Sequence, residues 1–327
     1  MTTKILVTGG AGFIGSHYVR TLLGPRGPGD VAITVLDGLT YAASPANLDQ
    51  VRGHPGFSFV HGDIGDAGLV GALTAEHHQV VHFAAETHVD RSIDGGARFV
   101  RTNVTGTHTL VDAAHRAGIE TFVHISTDEV YGSIDSGSWP ETHPLAPSSP
   151  YSASKAAADL IALSYHRTHG LDVRVTRCSN NYGRHHFPEK LIPLFITHLL
   201  DGRKVPLYGD GHHVRDWLHT DDHVSAIELV RSKGRAGEVY NIGGGTELSN
   251  KELTGLLLAA CGADWDSVVH VTDRKGHDDR YSVDCTKIGA ELGYVPEVDF
   301  ATGLADTVRW YSDNRAWWEP LKARAAL

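Results

Sequence analysis

The run Tyr151-Ser-Ala-Ser-Lys155 follows an acidic pair, Asp128-Glu129, with 21 residues between them. Such a pair marks a candidate active site, since burial and mutual repulsion can push the pKa values of two adjacent carboxyls apart. A spacing of four places Tyr151 and Lys155 on the same face of a helix, and the alanine-rich stretch after them favours that helix. A free phenol has a pKa of about 10, and a nearby ammonium favours the phenolate. Lys155 is therefore expected to pull Tyr151 toward the working range of a base at neutral pH.

These groups need a frame. The carboxylates follow a strand-like stretch, Thr121-Phe-Val-His-Ile125, and then Ser126-Thr127. That puts them at the carboxyl end of a strand, where open α/β sheets place their ligands. The amino terminus reads Lys4-Ile-Leu-Val-Thr-Gly9-Gly-Ala-Gly12-Phe-Ile-Gly15-Ser, an apolar strand running into a glycine turn and then a helix, Phe13 to Leu23. Such a turn lets backbone approach a pyrophosphate at a helix amino terminus. A second strand, Val31 to Leu36, ends in Asp37, 22 residues beyond Gly15. A carboxylate there accepts hydrogen bonds from ribose hydroxyls and repels a 2′-phosphate, which favours NAD over NADP.

Further strands are expected at Phe57 to His61, Val80 to Phe83 and Val173 to Thr176, with helices near Ala67 to His77, Ala97 to Ala117 and Ser152 to His169. This alternation implies an α/β fold, a Rossmann-type doubly wound parallel sheet. It occupies residues 1–178. Beyond it the elements shorten, with Phe187-Pro-Glu-Lys190 as a helix entry and Val214 to Trp217 as a short strand. Residues 179–327 are read mainly as a smaller mixed α/β substrate-binding lobe, the chain returning to the first domain around 216–240.

The chain has 327 residues, 41% of them hydrophobic, enough for a large core. A formal net charge of -10 argues against nucleic acid or an anionic membrane as partner. Cys178, Cys261 and Cys285 are too scattered for a disulfide framework or a zinc site. The opening strand does not resemble a signal peptide, and no apolar run reaches the roughly 18 residues of a membrane span. A cytoplasmic protein is expected.

Within this acidic chain Lys190, Arg215, Arg274 and Arg280 could grip a diphosphate. The pairs His77-His78, His185-His186 and His212-His213 invite a metal reading. Adjacent histidines do not easily aim at one ion, and no His-Glu-x-x-His motif accompanies them, so no metal is expected. Trp310, Trp317 and Trp318 are expected to pack against the body of the protein.

The glycine turn is joined in order by Ala84-Ala-Glu-Thr-His-Val-Asp-Arg-Ser, Ser126-Thr-Asp-Glu-Val-Tyr-Gly, Tyr151-Ser-Ala-Ser-Lys, Arg177-Cys-Ser-Asn-Asn-Tyr-Gly, Phe187-Pro-Glu-Lys-Leu-Ile-Pro, Arg215-Asp-Trp and Asp273-Arg-Lys-Gly-His. Spanning nearly the whole chain, this series resembles the dTDP-glucose 4,6-dehydratases of the extended short-chain dehydrogenase/reductase family. The segment Gly132 to Pro144 and the ending Trp317-Trp-Glu-Pro-Leu resemble versions that supply deoxysugars for natural-product glycosylation in actinomycetes.

The resemblance implies an NAD-dependent hydro-lyase acting on dTDP-glucose. The reaction oxidises sugar carbon 4, eliminates water across carbons 5 and 6, and reduces carbon 6. In it Tyr151 takes the hydroxyl proton, Thr127 holds that hydroxyl and Lys155 tunes the phenol. Glu129 is the base at carbon 5, and Asp128 is the protonated acid at the departing hydroxyl. The family's cofactor contacts fall on Gly9, Gly12, Phe13, Ile14, Gly15, Asp37, Thr40, Asp63, Ile64, Ala84, Ala85, Thr102, Tyr151, Lys155 and Asn181. Its sugar-nucleotide contacts fall on His88, Thr127, Asn180, Lys190, Leu191, Pro206, Tyr208, Arg215, Asn250, Arg274 and His277. Two departures stand out: Thr87 where serine is usual, and Arg184-His185-His186 after Asn-Tyr-Gly, whose arginine is expected to face water.

The family also implies a homodimer, for which Ala156 to Leu163 could supply a surface or could equally be buried. Alternatives remain. A nucleotide-sugar 4-epimerase shares the frame but has no work for an Asp-Glu pair. A uronic-acid decarboxylase would want cations at the sugar carboxylate, and a non-catalytic NAD-binding protein would have no need of the five polar residues together.

Overall fold

The computed structural model of the protein describes residues 2–25 and 27–325. Strands β1 (Thr3–Thr8), β2 (Val31–Asp37), β3 (Phe57–His61), β4 (Gln79–His82), β5 (Thr121–Thr127) and β6 (Val173–Cys178) lie in one sheet. Two short strands of the second lobe follow, β7 (Asn180–Tyr182) and β8 (Val205–Tyr208), and then β9 (Val214–His219). The next strand, β10 (Val239–Ile242), returns to the large sheet as its seventh member. The order is β10-β6-β5-β4-β1-β2-β3, and every pairing is parallel. The strand order reverses between β1 and β4, and a ligand crevice opens at such a switch point.

The pleat explains why β1 is apolar without interruption. Ile5 and Val7 enter one core and Leu6 the other, so helices cover both faces of the sheet. All seven residues of β5 are buried, and this central position carries Thr127 and the acidic pair to the crevice.

Two helices take their form from local chemistry. Pro150–His169 starts with Pro150 in its first turn and a capping box between Ser149 and Ser152, and ends at Gly170 in the left-handed region. This start fixes Tyr151 in the first turn and Lys155 one turn on. The helix expected over Ala97 to Ala117 is interrupted: Val100–Gly106 is a π-helical turn between helical Ala97–Phe99 and Thr107–Ala117. There the Asn103 amide bonds both the N–H and the carbonyl of Glu86 and the Ser154 hydroxyl, tying three segments that border the site. The Ala67 helix stops at Thr74, short of His77.

In the second lobe β9 pairs in parallel with β7 and antiparallel with β11 (Glu247–Ser249), while β8 pairs with β12 (Val268–Val271). A third core joins Tyr182, Phe195, Trp217, Leu253, Tyr311 and Trp318, with Trp310 and Trp317 packed against it. Trp318 is fully buried and its indole N–H reaches the Tyr311 carbonyl. Among the described residues no helix is long and apolar enough to cross a membrane.

Candidate active site

At the end of β1 the chain turns at Gly9, whose φ is +71°; a Cβ there would lie 2.6 Å from the Ala84 backbone nitrogen. Only glycine fits between these strands. The Asp37 carboxylate accepts the Ala11 and Leu39 backbone N–H groups, each at 2.8 Å, so it braces the glycine turn. Two such bonds leave carboxylate lone pairs free for ribose hydroxyls.

Every residue assigned above to the cofactor, from Gly9 to Asn181, lines one cavity of about 360 Å³. Its glycine cradle, the acidic end of β2 and the amino end of Phe13–Leu23 fit a dinucleotide. The same cavity is lined by Thr127, Asp128 and Glu129, and by Asn180, Lys190 and Leu191. His88, Pro206, Tyr208, Arg215, Asn250, Arg274 and His277 do not border it.

Thr127 ends β5. Its hydroxyl donates to Asp128 Oδ1 at 3.2 Å and accepts the Glu129 N–H at 3.3 Å, capping the short turn Asp128–Tyr131. Asp128 is 2% exposed, and its other oxygen, Oδ2, has no hydrogen-bond partner among the described residues. Burial, then the charges of Glu129 and Asp216, push its carboxyl well above the ordinary range. Burial also raises Glu129, but Arg274, Lys190 and Arg215 all oppose that rise. The two neighbours therefore differ in electrostatic surroundings: Asp128 feels two anions against one cation, Arg215, and Glu129 three cations against one anion, Asp278.

The expected effect of Lys155 on Tyr151 is not what the structure shows. Burial, then the Glu129 charge, hold the phenol well above its usual value, and a hydrogen bond with Thr127 only partly offsets them. The Lys155 ammonium donates to the Ile125 carbonyl at 2.7 Å, and burial brings its own pKa down to about 8. Spacing put both groups on one face, but the ammonium is spent on a strand carbonyl.

Of the four cations, three look toward Glu129. Lys190 donates to the Thr87 carbonyl at 2.8 Å. Arg215 is fixed by the Val214 and Asp278 carbonyls and lies 4.2 Å over the Tyr281 ring. Arg274 sits 3.6 Å from Asp90, which also accepts from Tyr208. His277 bonds Asp273 at 2.7 Å and its ring meets that of Tyr208 edge-on. His88 is pushed down to about 2 by burial and by Lys190. Arg280 does not join them: it makes a two-pronged pair with Glu247, 2.7 Å on each arm. Pro206 lies on β8 and Asn250 opens the helix Asn250–Ala260; among the described residues neither side chain is hydrogen-bonded to this group.

The histidine pairs behave differently: His212 and His213 stay together, their rings stacked at 4.2 Å, and with Asp279 they bring ligand atoms within 4.8 Å of one another, contrary to the expectation for adjacent histidines. His186 stacks on Phe13 at 4.1 Å beside the cavity, and Arg184 is exposed. His213 meets Asp273 and His277, with ligand atoms within 4.8 Å of one another, a grouping that adjacent numbering could not reveal. The His213 and His277 rings stack at 3.6 Å, and each turns a nitrogen to the Asp273 carboxylate, at 3.2 and 2.7 Å.

Sequence reasoning passed over Glu189, although it stands in the Phe187-Pro-Glu-Lys190 run. Its carboxylate pairs with buried Arg91 at 3.1 Å and accepts from Tyr41 at 2.7 Å, and it lines the cavity. It also passed over Asp159, fully buried one turn beyond Lys155 and paired with Arg177 at 2.9 Å. A carboxylate at the next i+4 step of the Tyr-Lys face was the available signal.

The chain matches the model of the GDP-mannose 4,6 dehydratase family over residues 6–307. The chain belongs to that family. A dTDP-glucose 4,6-dehydratase of Streptomyces griseus, a curated relative, is 65% identical over 327 residues, covering 100% of this chain and 99% of its own. Among solved structures of the family's fold, the dTDP-glucose 4,6-dehydratase DesIV of Streptomyces venezuelae, crystallised with NAD bound, superposes with a TM-score of 0.96 at 63% identity, covering 98% of this chain and all of its own. A Bacillus anthracis dTDP-glucose 4,6-dehydratase in complex with NAD gives 0.91 at 46% identity over 98% of this chain and 100% of its own.

Proposed function

We propose that the protein converts dTDP-glucose to dTDP-4-keto-6-deoxyglucose and water as an NAD-dependent hydro-lyase. The observation that carries this reading is the unequal pair: Asp128 is buried with a partner-free oxygen and a raised pKa, beside a Glu129 facing three cations. An oxidation alone needs neither group, whereas elimination of water needs an acid and a base at once.

When bound, NAD supplies the oxidation at sugar carbon 4 and the later reduction at carbon 6. Tyr151 would accept the carbon 4 hydroxyl proton in its phenolate form, which burial and Glu129 oppose and which the positive charges of Lys155, one turn down the helix, and of the oxidised cofactor would favour; the Thr127 hydroxyl would orient the sugar hydroxyl. Glu129 removes the carbon 5 proton that the new ketone has acidified, and later returns it. Asp128, protonated, donates from Oδ2 to the hydroxyl leaving carbon 6. Lys190, Arg215 and Arg274, with His88, Tyr208 and His277, hold the sugar diphosphate, and Pro206, Leu191, Asn180 and Asn250 border the nucleotide. Asp37 and the glycine turn hold the cofactor. Residues 1–178 with the returning strand form the NAD domain, and most of 179–327 the substrate lobe.

The protein is proposed to work in the cytoplasm as a homodimer. Ala156, Ala158, Ala162 and Leu163 are buried within the protomer, but Leu160 on the same helix is 57% exposed and Val100 54%, a surface suited to a second copy. Sedimentation giving only the mass of one chain at micromolar concentration would sink the dimer.

The deciding experiment follows dTDP-glucose by mass with the purified protein. Loss of one water to a 4-keto-6-deoxy sugar supports the reading. Unchanged mass with conversion to the galactose isomer establishes an epimerase instead.

A further inference from the structure

The proposed reaction is redox-neutral, so a dinucleotide that left midway would strand an oxidised sugar. Resting on that reading, we infer that Asn47, held by Trp317 of the last helix, is a positioning residue that keeps the cofactor seated throughout the cycle. Asn47 lies on the turn Pro45–Val51, 2% exposed, and neither of its side-chain polar atoms is free. Its Nδ2 donates to the Ala11 carbonyl at 2.9 Å, inside the glycine turn, and its Oδ1 accepts the Trp317 indole N–H at 2.9 Å. An indole is a donor only, so this contact sets which way the amide points. Trp317 thereby dictates that an N–H faces Ala11.

Ala11 is thus gripped on both sides, its N–H by Asp37 and its carbonyl by Asn47 and the Ser44 N–H. The same terminal helix, Arg315–Ala325, sends Arg324 to the Thr40 and Ala43 carbonyls at 2.9 and 3.2 Å, and both residues line the cavity. The carboxyl-terminal helix of the second lobe therefore latches the turn that would cradle a pyrophosphate on the first. No contact of Asn47 or Trp317 with the reacting sugar is involved; both act through Ala11.

The test measures how fast NAD leaves the holoprotein after dilution into excess labelled NAD. Trp317→Phe keeps the ring but removes the donor, and is expected to speed release about five- to tenfold, the effect of one buried hydrogen bond. Asn47→Ala is expected to do the same, and the double variant no more than the larger single effect, because both break one linkage. Supporting data also keep NAD-free Trp317→Phe folded, its melting temperature lowered by no more than one buried hydrogen bond is worth. Unchanged release in Trp317→Phe, additive effects in the double variant, or equally fast release from Trp318→Phe, which loses a buried indole hydrogen bond not joined to the glycine turn, would each overturn the inference. The assay uses NAD alone, so a protein that fails to dehydrate dTDP-glucose but shows this pattern loses the dehydratase reading and keeps the clamp.

Discussion

Replacing Asp128 with asparagine separates elimination from oxidation. The amide keeps the side-chain volume and can still accept the Thr127 hydroxyl at Oδ1, 3.2 Å away in the parent. What it removes is the transferable proton on the oxygen that has no other partner. General-acid catalysis contributes about 10²–10⁴ in rate, or about 3–5 kcal/mol of barrier, so turnover should fall by that factor. Oxidation at carbon 4 does not use this proton, so reduced nicotinamide should build up on the protein when dTDP-glucose is added, read by its near-ultraviolet absorbance. Stability should move the other way. The folded-state pKa of Asp128 is raised, so its carboxyl adds nothing unfavourable at acid pH and becomes a growing cost as pH rises from the ordinary carboxyl range toward the folded-state value. At neutral pH the asparagine variant should therefore melt no lower than the parent. Full turnover would refute the acid role. Loss of turnover without any reduced nicotinamide would place Asp128 in the oxidation step instead.

Lys155 titrates near pH 8, so if its charge is needed, kcat/KM should decline as pH rises through about 8; a profile flat up to the ordinary lysine value contradicts that role. Gly9→Ala sets a methyl against the Ala84 backbone at a left-handed φ, costing about 1–2 kcal/mol from conformation alone. Titration should show NAD binding weakened by ~10-fold or more, and parent-like affinity would argue against the cradle. Arg91→Met leaves the nearly buried Glu189 carboxyl without its cation, the side chains of the parent pair being 10% and 5% exposed. Breaking such a pair costs about 3–5 kcal/mol, so thermal melting should drop on the order of 10 °C.

The large sheet could be foreseen because each parallel strand is buried on both faces, and near-continuous runs such as Ile5-Leu-Val7 and Thr121 to Ile125 leave little else for them to be. The glycine turn was legible for the same local reason: strand, glycines and helix are contiguous in the chain. Legibility failed where partners are distant in number. Nothing near Lys155 announces that its ammonium will bond the Ile125 carbonyl across 30 residues, and a motif read from spacing alone made it a partner of Tyr151. The π-helical turn at Val100–Gly106 was hidden for a related cause. The Asn103 amide meets Glu86 and Ser154 from other segments, and that tertiary demand prevails over local helix propensity. Arg280 shows how weak charge is as a signal on its own: like Arg215 and Arg274 it is a cation in an acidic chain, yet Glu247 claims it. Asn47 and Trp317 stand 270 residues apart, and one is a turn residue and the other a packing residue by any local criterion. Their pairing exists only once the second lobe has folded back on the first, which makes the seat of the cofactor a property of both lobes together.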